Sequence, residues 1–289
     1  MHHRNSELMA RAGYSARGVV YLIVGGLAVL AAIGSGGRTT GTKGALSSIL
    51  SQPFGAILLI CVALGLLCFA VWRLAQAILN VDHLGTDWKP LARRIGFGGG
   101  AAVNFALAIS ALALVFGMSS DSGDGERSAR DWTAYLLAAP FGQWIVGAVG
   151  LVGFATGVGV AAKGWKGTFE ERLALDHDAR RWVMPLGRLG FMARGVVFML
   201  VGIFLVLAAV HANAREAKGL AGALRTLQEQ PYGWVLLGIT ALGLVAFGAF
   251  QFVTAYYRRI EVPDLDKAAG NAKHAAKAVA QGLRGSRRA

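Results

Sequence analysis

The sequence predicts an all-α membrane protein of six transmembrane helices, arranged as three hairpin repeats that each run in, out and back. Three observations carry this. Apolar residues make up 55% of the 289-residue chain and charged residues only 16%, with a mean hydropathy of +0.50. Charge-free runs recur near residues 18–33, 54–71, 95–117, 141–162, 195–210 and 233–257. A helix needs about 20 residues to cross a hydrocarbon core of about 30 Å. One stretch, finally, is written three times: RAGYSARGVVYLIVG from Arg11, RIGFGGGAAVNFALA from Arg94 and RLGFMARGVVFMLVG from Arg188.

The repeats divide the chain into residues 8–82, 83–176 and 177–260, followed by a basic tail over 261–289. The first and fifth runs reach spanning length only with Arg17 and Arg194 inside the helix. The first 33 residues share a basic start and apolar centre with secretory signals. The same segment recurs at 188–210 in mid-chain, so it reads as a retained helix.

A turn-forming segment follows the first span, and then GALSSILSQPFG (44–55). The third repeat has GALRTLQEQPYG (222–233) at the same place, and the middle one DWTAYLLAAPFG from Asp131. Leu46, Ile49 and Leu50 match a short amphipathic helix lying on the outer membrane surface. Pro53, Pro140 and Pro231 suit the first turn of the returning helix, where no N–H is missed. Trp144, Tyr232 and Trp234 sit where an outer aromatic belt belongs.

The even spans end in interfacial anchors: Trp72-Arg73, Lys163 with Trp165, and Tyr256-Tyr257-Arg258-Arg259. The fourth span is glycine-rich (Gly147, Gly150, Gly153, Gly157, Gly159), a composition that lets another helix backbone approach closely. Parallel repeats are related by an axis along the membrane normal. Three such units suggest a pseudo-threefold ring of six helices, with an open row of hairpins as the alternative.

Charge sets the expected orientation. The side carrying both termini holds 22 Lys and Arg against 10 Asp and Glu, and the other side 7 against 6. The Lys/Arg bias places both termini in the cytoplasm. The net charge of +13 then belongs to a cytoplasmic surface facing anionic headgroups, and nucleic acid is not needed to explain it.

Within each repeated helix four positions recur at intervals of four. They are Gly13, Arg17, Tyr21 and Gly25; Gly96, Gly100, Asn104 and Ala108; and Gly190, Arg194, Phe198 and Gly202. Read as one face, they place Arg17, Tyr21, Asn104, Arg194 and Phe198 together as a candidate axial or lipid-headgroup site. Arginines with no carboxylate in the spans favour an anion. The plainer reading is that both arginines snorkel to the interface while the small residues pack helices. Arg73, Gln76 and Gln251 are secondary polar positions late in the even spans, either interfacial or the far wall of the same site.

No catalytic residue, cofactor or metal is expected. HExxH, GxSxG and Walker-type loops are absent. Asp82-His83 and Asp176-His177 recur in the linkers but lack the close ligand spacing of metal sites and read as surface capping and solvated loop residues. Cys61 and Cys68, seven residues apart on one helix, are about 10 Å apart and do not pair.

R-x-G-aromatic three times, A-R-G-V-V-aromatic in the outer copies and P-aromatic-G before each returning helix together resemble bacterial domain-of-unknown-function family 1206. The resemblance covers roughly residues 8–260. It implies six helices in three hairpins and a bacterial cell membrane, and no activity. The middle copy departs from the pattern, with GGGAAVN for SARGVVY. An arginine-dependent role would therefore hold in two units. The expected function is a structural or interaction module that contacts anionic lipid or a partner through its basic face. The alternative is a small channel or transporter for an anionic or polar solute through the pseudo-threefold axis.

Overall fold

Each copy of the repeat folds as a long helix, a short helix and a second long helix. The structure, a computed structural model, describes residues 2–35, 39–78, 88–118, 125–170, 173 and 176–257. These form nine α-helices: α1 (His2–Ala32), α2 (Thr42–Leu50) and α3 (Gly55–Ile78); α4 (Trp88–Val115), α5 (Gly125–Leu137) and α6 (Gly142–Lys166); α7 (His177–Val210), α8 (Leu220–Gln228) and α9 (Gly233–Tyr257). The six long ones are long and apolar enough to cross a membrane. Arg17 and Arg194 lie inside α1 and α7. Asp82, His83 and the 261–289 tail lie outside the described residues.

The P-aromatic-G motif makes the turn between each short helix and the long one after it. The prolines do not enter the helix, which starts two residues later at Gly55, Gly142 and Gly233. Instead the glycine N–H donates to the carbonyl three residues back, at 2.8 Å (Gln52), 2.9 Å (Ala139) and 2.7 Å (Gln230). Proline presets the first central position of such a turn, and the second needs a positive φ. Phe54, Phe141 and Tyr232 supply it at +60°, +61° and +59°. This left-handed backbone is unfavourable for a side chain by about 1–2 kcal/mol. It also throws each ring outward, and all three are exposed. A Cβ on the following glycine would overlap a carbonyl oxygen of the short helix just ended.

The long helices pack in the order α4, α3, α1, α9, α7, α6. The first long helix of each unit thus lies on the last helix of another: α1 on α9, α7 on α6, α4 on α3. Small residues make these contacts. A Cβ on Gly25 would sit 2.7 Å from the Val245 amide nitrogen, and one on Gly157 2.6 Å from that of Met199. On α4 the matching positions are Ala101 and Ala108, both buried. In lipid, where apolar surface gains nothing by leaving its solvent, such close backbone packing is the main attraction between helices.

The contact that would complete a ring, α4 against α6, is not packed. Within the other two units the long helices do pack, α1 on α3 and α7 on α9. Gly65 and Gly243 permit this by facing Ala16 and Ala193, while Phe69 and Phe247 lie over Gly13 and Gly190. By position after the P-aromatic-G glycine, α6 carries Val152 and Thr156 instead. The bulkier valine and the lost ring remove the fit.

The three short helices meet at the end of the bundle away from the start of α1 and the end of α9, which we call the crown. Lys43 Nζ donates to Ser128 Oγ at 2.6 Å, linking α2 to α5. Glu126 Oε1 accepts from the backbone N–H groups of Gly219 and Gly222 at 2.9 and 2.7 Å, so α5 caps the start of α8. Here the expectation of a helix lying on the membrane surface is corrected. Leu46 and Ile49 of α2 are buried, packed into the core shared with α1, α3 and α4. Their apolar face is covered by the protein's own long helices rather than by lipid.

Gly157→Ala is expected to destabilise the protein by about 1–3 kcal/mol through overpacking. Gly159→Ala, where a Cβ meets nothing within 4 Å, is expected to be neutral or stabilising. Thermal unfolding in detergent separates the two. Equal losses would count against backbone contact as the cement between units.

Candidate functional site

Residues four apart on a helix are separated by about 400° of turn, so each step of the repeated stripe advances about 40° and the whole stripe about 120°. The stripe is therefore not one contact face. Gly13 packs on α3 at Phe69 and Gly25 on α9 at Val245; Gly190 packs on α9 at Phe247 and Gly202 on α6 at Phe154. Arg17 with Tyr21, and Arg194 with Phe198, lie between those two contacts and meet across the bundle.

They form part of a belt of alternating cations and rings. The Arg73 guanidinium lies 5.0 Å from the centroids of both Phe97 and Phe69. Arg17 lies 4.8 Å from Phe69 and 5.8 Å from Tyr21. Arg194 lies 5.9 Å from Tyr21 and 4.8 Å from each of Phe198 and Phe247. Phe247 meets Phe191 edge-on at 5.4 Å, and Lys163 Nζ sits 5.3 Å from the Phe191 centroid. The belt touches all six long helices. A cation over a ring face gains about 0.5–2 kcal/mol, more where water is excluded.

Rings offset only part of what a guanidinium loses on leaving water, because they supply no hydrogen-bond acceptor in its plane. Neither Arg17 nor Arg194 has a carboxylate partner among the described residues. The spans carry no Asp or Glu beyond Asp178, at the start of the fifth. Arg194 Nε is buried without a hydrogen-bond partner. Gln76, also buried, accepts from Arg73 Nη1 at 3.4 Å through Oε1, and its Nε2 has no partner. Gln251 is buried at the position on α9 that matches Arg73 on α3.

The structure thus brings Arg17, Tyr21, Arg194 and Phe198 together and adds Arg73 with Gln76. Asn104 does not join them by hydrogen bond. It is buried, and its Nδ2 donates at 2.6 Å to the Gly100 carbonyl one turn back on its own helix, a local bond open to short polar side chains. Sequence reasoning missed Phe69, Phe97, Phe191, Phe247 and Lys163. A signal existed for four of them: Phe97 and Phe191 are the aromatics of R-x-G-aromatic, and Phe69 and Phe247 both stand 14 residues after the glycine of P-aromatic-G. It also missed Arg94, which donates to the Ala77 and Ile78 carbonyls at 2.7 and 3.0 Å and so caps the end of α3.

The family described as Domain of Unknown Function (DUF1206) matches the chain three times, over residues 12–80, 95–167 and 189–258. The chain belongs to this family. The three DUF1206 matches coincide with the three helical units. The chain is also similar to the uncharacterized protein YxxB of Bacillus subtilis (strain 168), 34% identical over 253 residues, which cover 86% of this chain and 90% of that one. No solved structure matches. Membership establishes a repeated, membrane-type helical protein of a family whose function is unknown.

If Arg194 is a cation awaiting an anion, removing its charge should help the ligand-free protein. Arg194→Met is expected to stabilise the protein in an uncharged detergent by on the order of 1–4 kcal/mol, and so to raise its unfolding midpoint. A lowered midpoint would mean that the ring contacts alone suffice for this charge.

Proposed function

We propose that this DUF1206 protein is a non-catalytic module of a bacterial inner membrane that holds an anionic lipid headgroup in its arginine–aromatic belt. Both termini face the cytoplasm, as the Lys/Arg bias favours. The three units run in, out and back about a pseudo-threefold axis along the membrane normal. The recurrence of the α1–α9, α7–α6 and α4–α3 contacts supports that arrangement. The observation that carries the function is the pair Arg17 and Arg194, two guanidiniums held between rings with no carboxylate beside them among the described residues.

Phosphate oxygens accept paired N–H bonds from a guanidinium fork, and the cytoplasmic leaflet supplies them at high local density. A phosphodiester would provide the acceptor that Arg194 Nε lacks. Passage of an anionic or polar solute along the axis would use the same arginines. It has less support, because Val24, Ala28, Leu46, Ile49 and Leu224 are buried towards the crown and leave the path apolar.

Native mass spectrometry of protein loaded with phosphatidylglycerol or phosphatidylcholine tests the headgroup reading. The unaltered protein should retain phosphatidylglycerol preferentially. R17Q/R194Q should reduce that preference by about tenfold, or about 1.4 kcal/mol. An unchanged preference would rule the arginines out. Transport is tested separately, with V24C and L46C in a background lacking Cys61 and Cys68. Both cysteines should resist impermeant thiol reagents from either side, and labelling from both sides would revive the solute path.

A further inference from the structure

The middle unit differs from its neighbours in one respect that bears on how a lipid reaches the belt. In the outer units the two long helices are sealed together. A Cβ on Gly65 would lie 2.5 Å from Ala16 Cβ, and one on Gly190 2.7 Å from Phe247. In the middle unit the corresponding glycines on α4, Gly96 and Gly99, have nothing within 4 Å of a Cβ. Val103 of α4 is 60% exposed, whereas Val20 and Val197 at the same position are 4% and 3%. On α6, Val149 is 50% exposed against 3% for its counterpart Val62 on α3. A seam therefore runs between α4 and α6, walled by Gly96, Gly99, Val103, Val149, Val152 and Thr156. It lies at the height of the belt, because Gly100 of α4 occupies the position that carries Arg17 and Arg194 in the other units. A Cβ on Gly100 also meets open space.

We propose that this seam seats one anionic phospholipid. Its acyl chain lies between α4 and α6, against Val103, Val149 and Val152, and its phosphate turns inward to Arg17 and Arg194. The occupant follows from the lining and the surroundings. The walls are almost wholly apolar and open towards the bilayer, which excludes a water-filled pocket. Level with the seam lie Arg17 and Arg194, two cations with no carboxylate partner among the described residues. Gly100 supplies room for a headgroup where a third arginine would add repulsion. The seam rests on the headgroup reading above and extends it by naming a route and a chain-binding wall.

The test uses the full-length protein in liposomes, with C61A/C68A and V103C carrying a bimane fluorophore. Lipids brominated in the acyl chain quench it by contact. At equal, minor fractions, brominated phosphatidylglycerol should quench V103C-bimane several-fold more than brominated phosphatidylcholine. A control at the lipid-facing I239C should show no preference. V152G/T156F, which gives α6 the residues found on α3 and α9, should close the seam and abolish the preference. G100L should do the same by filling the space, and serves if V152G/T156F fails to fold.

Equal quenching by both lipids at V103C overturns the seam. If R17Q/R194Q still loses phosphatidylglycerol retention in that case, the headgroup reading survives alone. A preference at V103C that R17Q/R194Q leaves intact overturns the phosphate contact. Protection from both lipids with the protein eluting as a dimer assigns the seam to a second copy of the chain and overturns the proposal.

Discussion

Close backbone contact between units is the constraint on which the rest of the molecule depends. Where the solvent is hydrocarbon, apolar side chains have little reason to prefer one another to lipid, and helices associate where small residues let their backbones meet. Gly18 against Gly248 and Gly195 against Gly157 are such places. Each contact fixes the rotation of a long helix about its own axis. Once α1 and α7 are held by Gly25 and Gly202 on one side and Gly13 and Gly190 on the other, Arg17 and Arg194 have only the enclosed direction left. The placement of charge inside the bundle is thus a by-product of where side chains are missing.

The belt then settles how those charges persist. Every guanidinium in it leans on at least two rings, and the rings themselves pack edge to face, as Tyr21 does on Phe247 at 4.9 Å. Aromatic packing offers quadrupole attraction without a countercharge. Among the described residues the belt therefore holds Arg17 and Arg194 by rings and not by a resident carboxylate.

Six spans, three units and the shared position of Arg17 and Arg194 in their helices were legible in the residues, because hydropathy and recurrence are properties of the chain alone. The P-aromatic-G segments were legible as the entry to each returning helix but were read as its first turn; the separate turn before the helix was not legible, since nothing in Phe54 or Tyr232 announces a positive φ. What failed has a common cause. Leu46 was read as membrane-facing and Gly13 to Gly25 as one face. In a chain that is apolar throughout, hydropathy does not distinguish a position covered by protein from one covered by lipid. The drift of about 40° per step also passes unnoticed until partners are known. The asymmetry of the middle copy was visible at Gly100 and Asn104. Its larger effect lay on α6, where Val152 and Thr156 replace a glycine and a phenylalanine that only a comparison of the even helices would have exposed.

The missing contact between α4 and α6 has a consequence for what counts as a part of this molecule. By sequence the middle copy is one repeat among three. By packing it is divided, with α4 attached to the first unit through α3 and α6 attached to the third through α7. The long helices therefore form one packed series, from α4 through α3, α1, α9 and α7 to α6, held closely at α1–α9 and open between its two ends. A change in the width of the seam would be spread along that series rather than fall at one joint. Three copies of a sequence have become a single strip of helices whose two ends belong to the same copy.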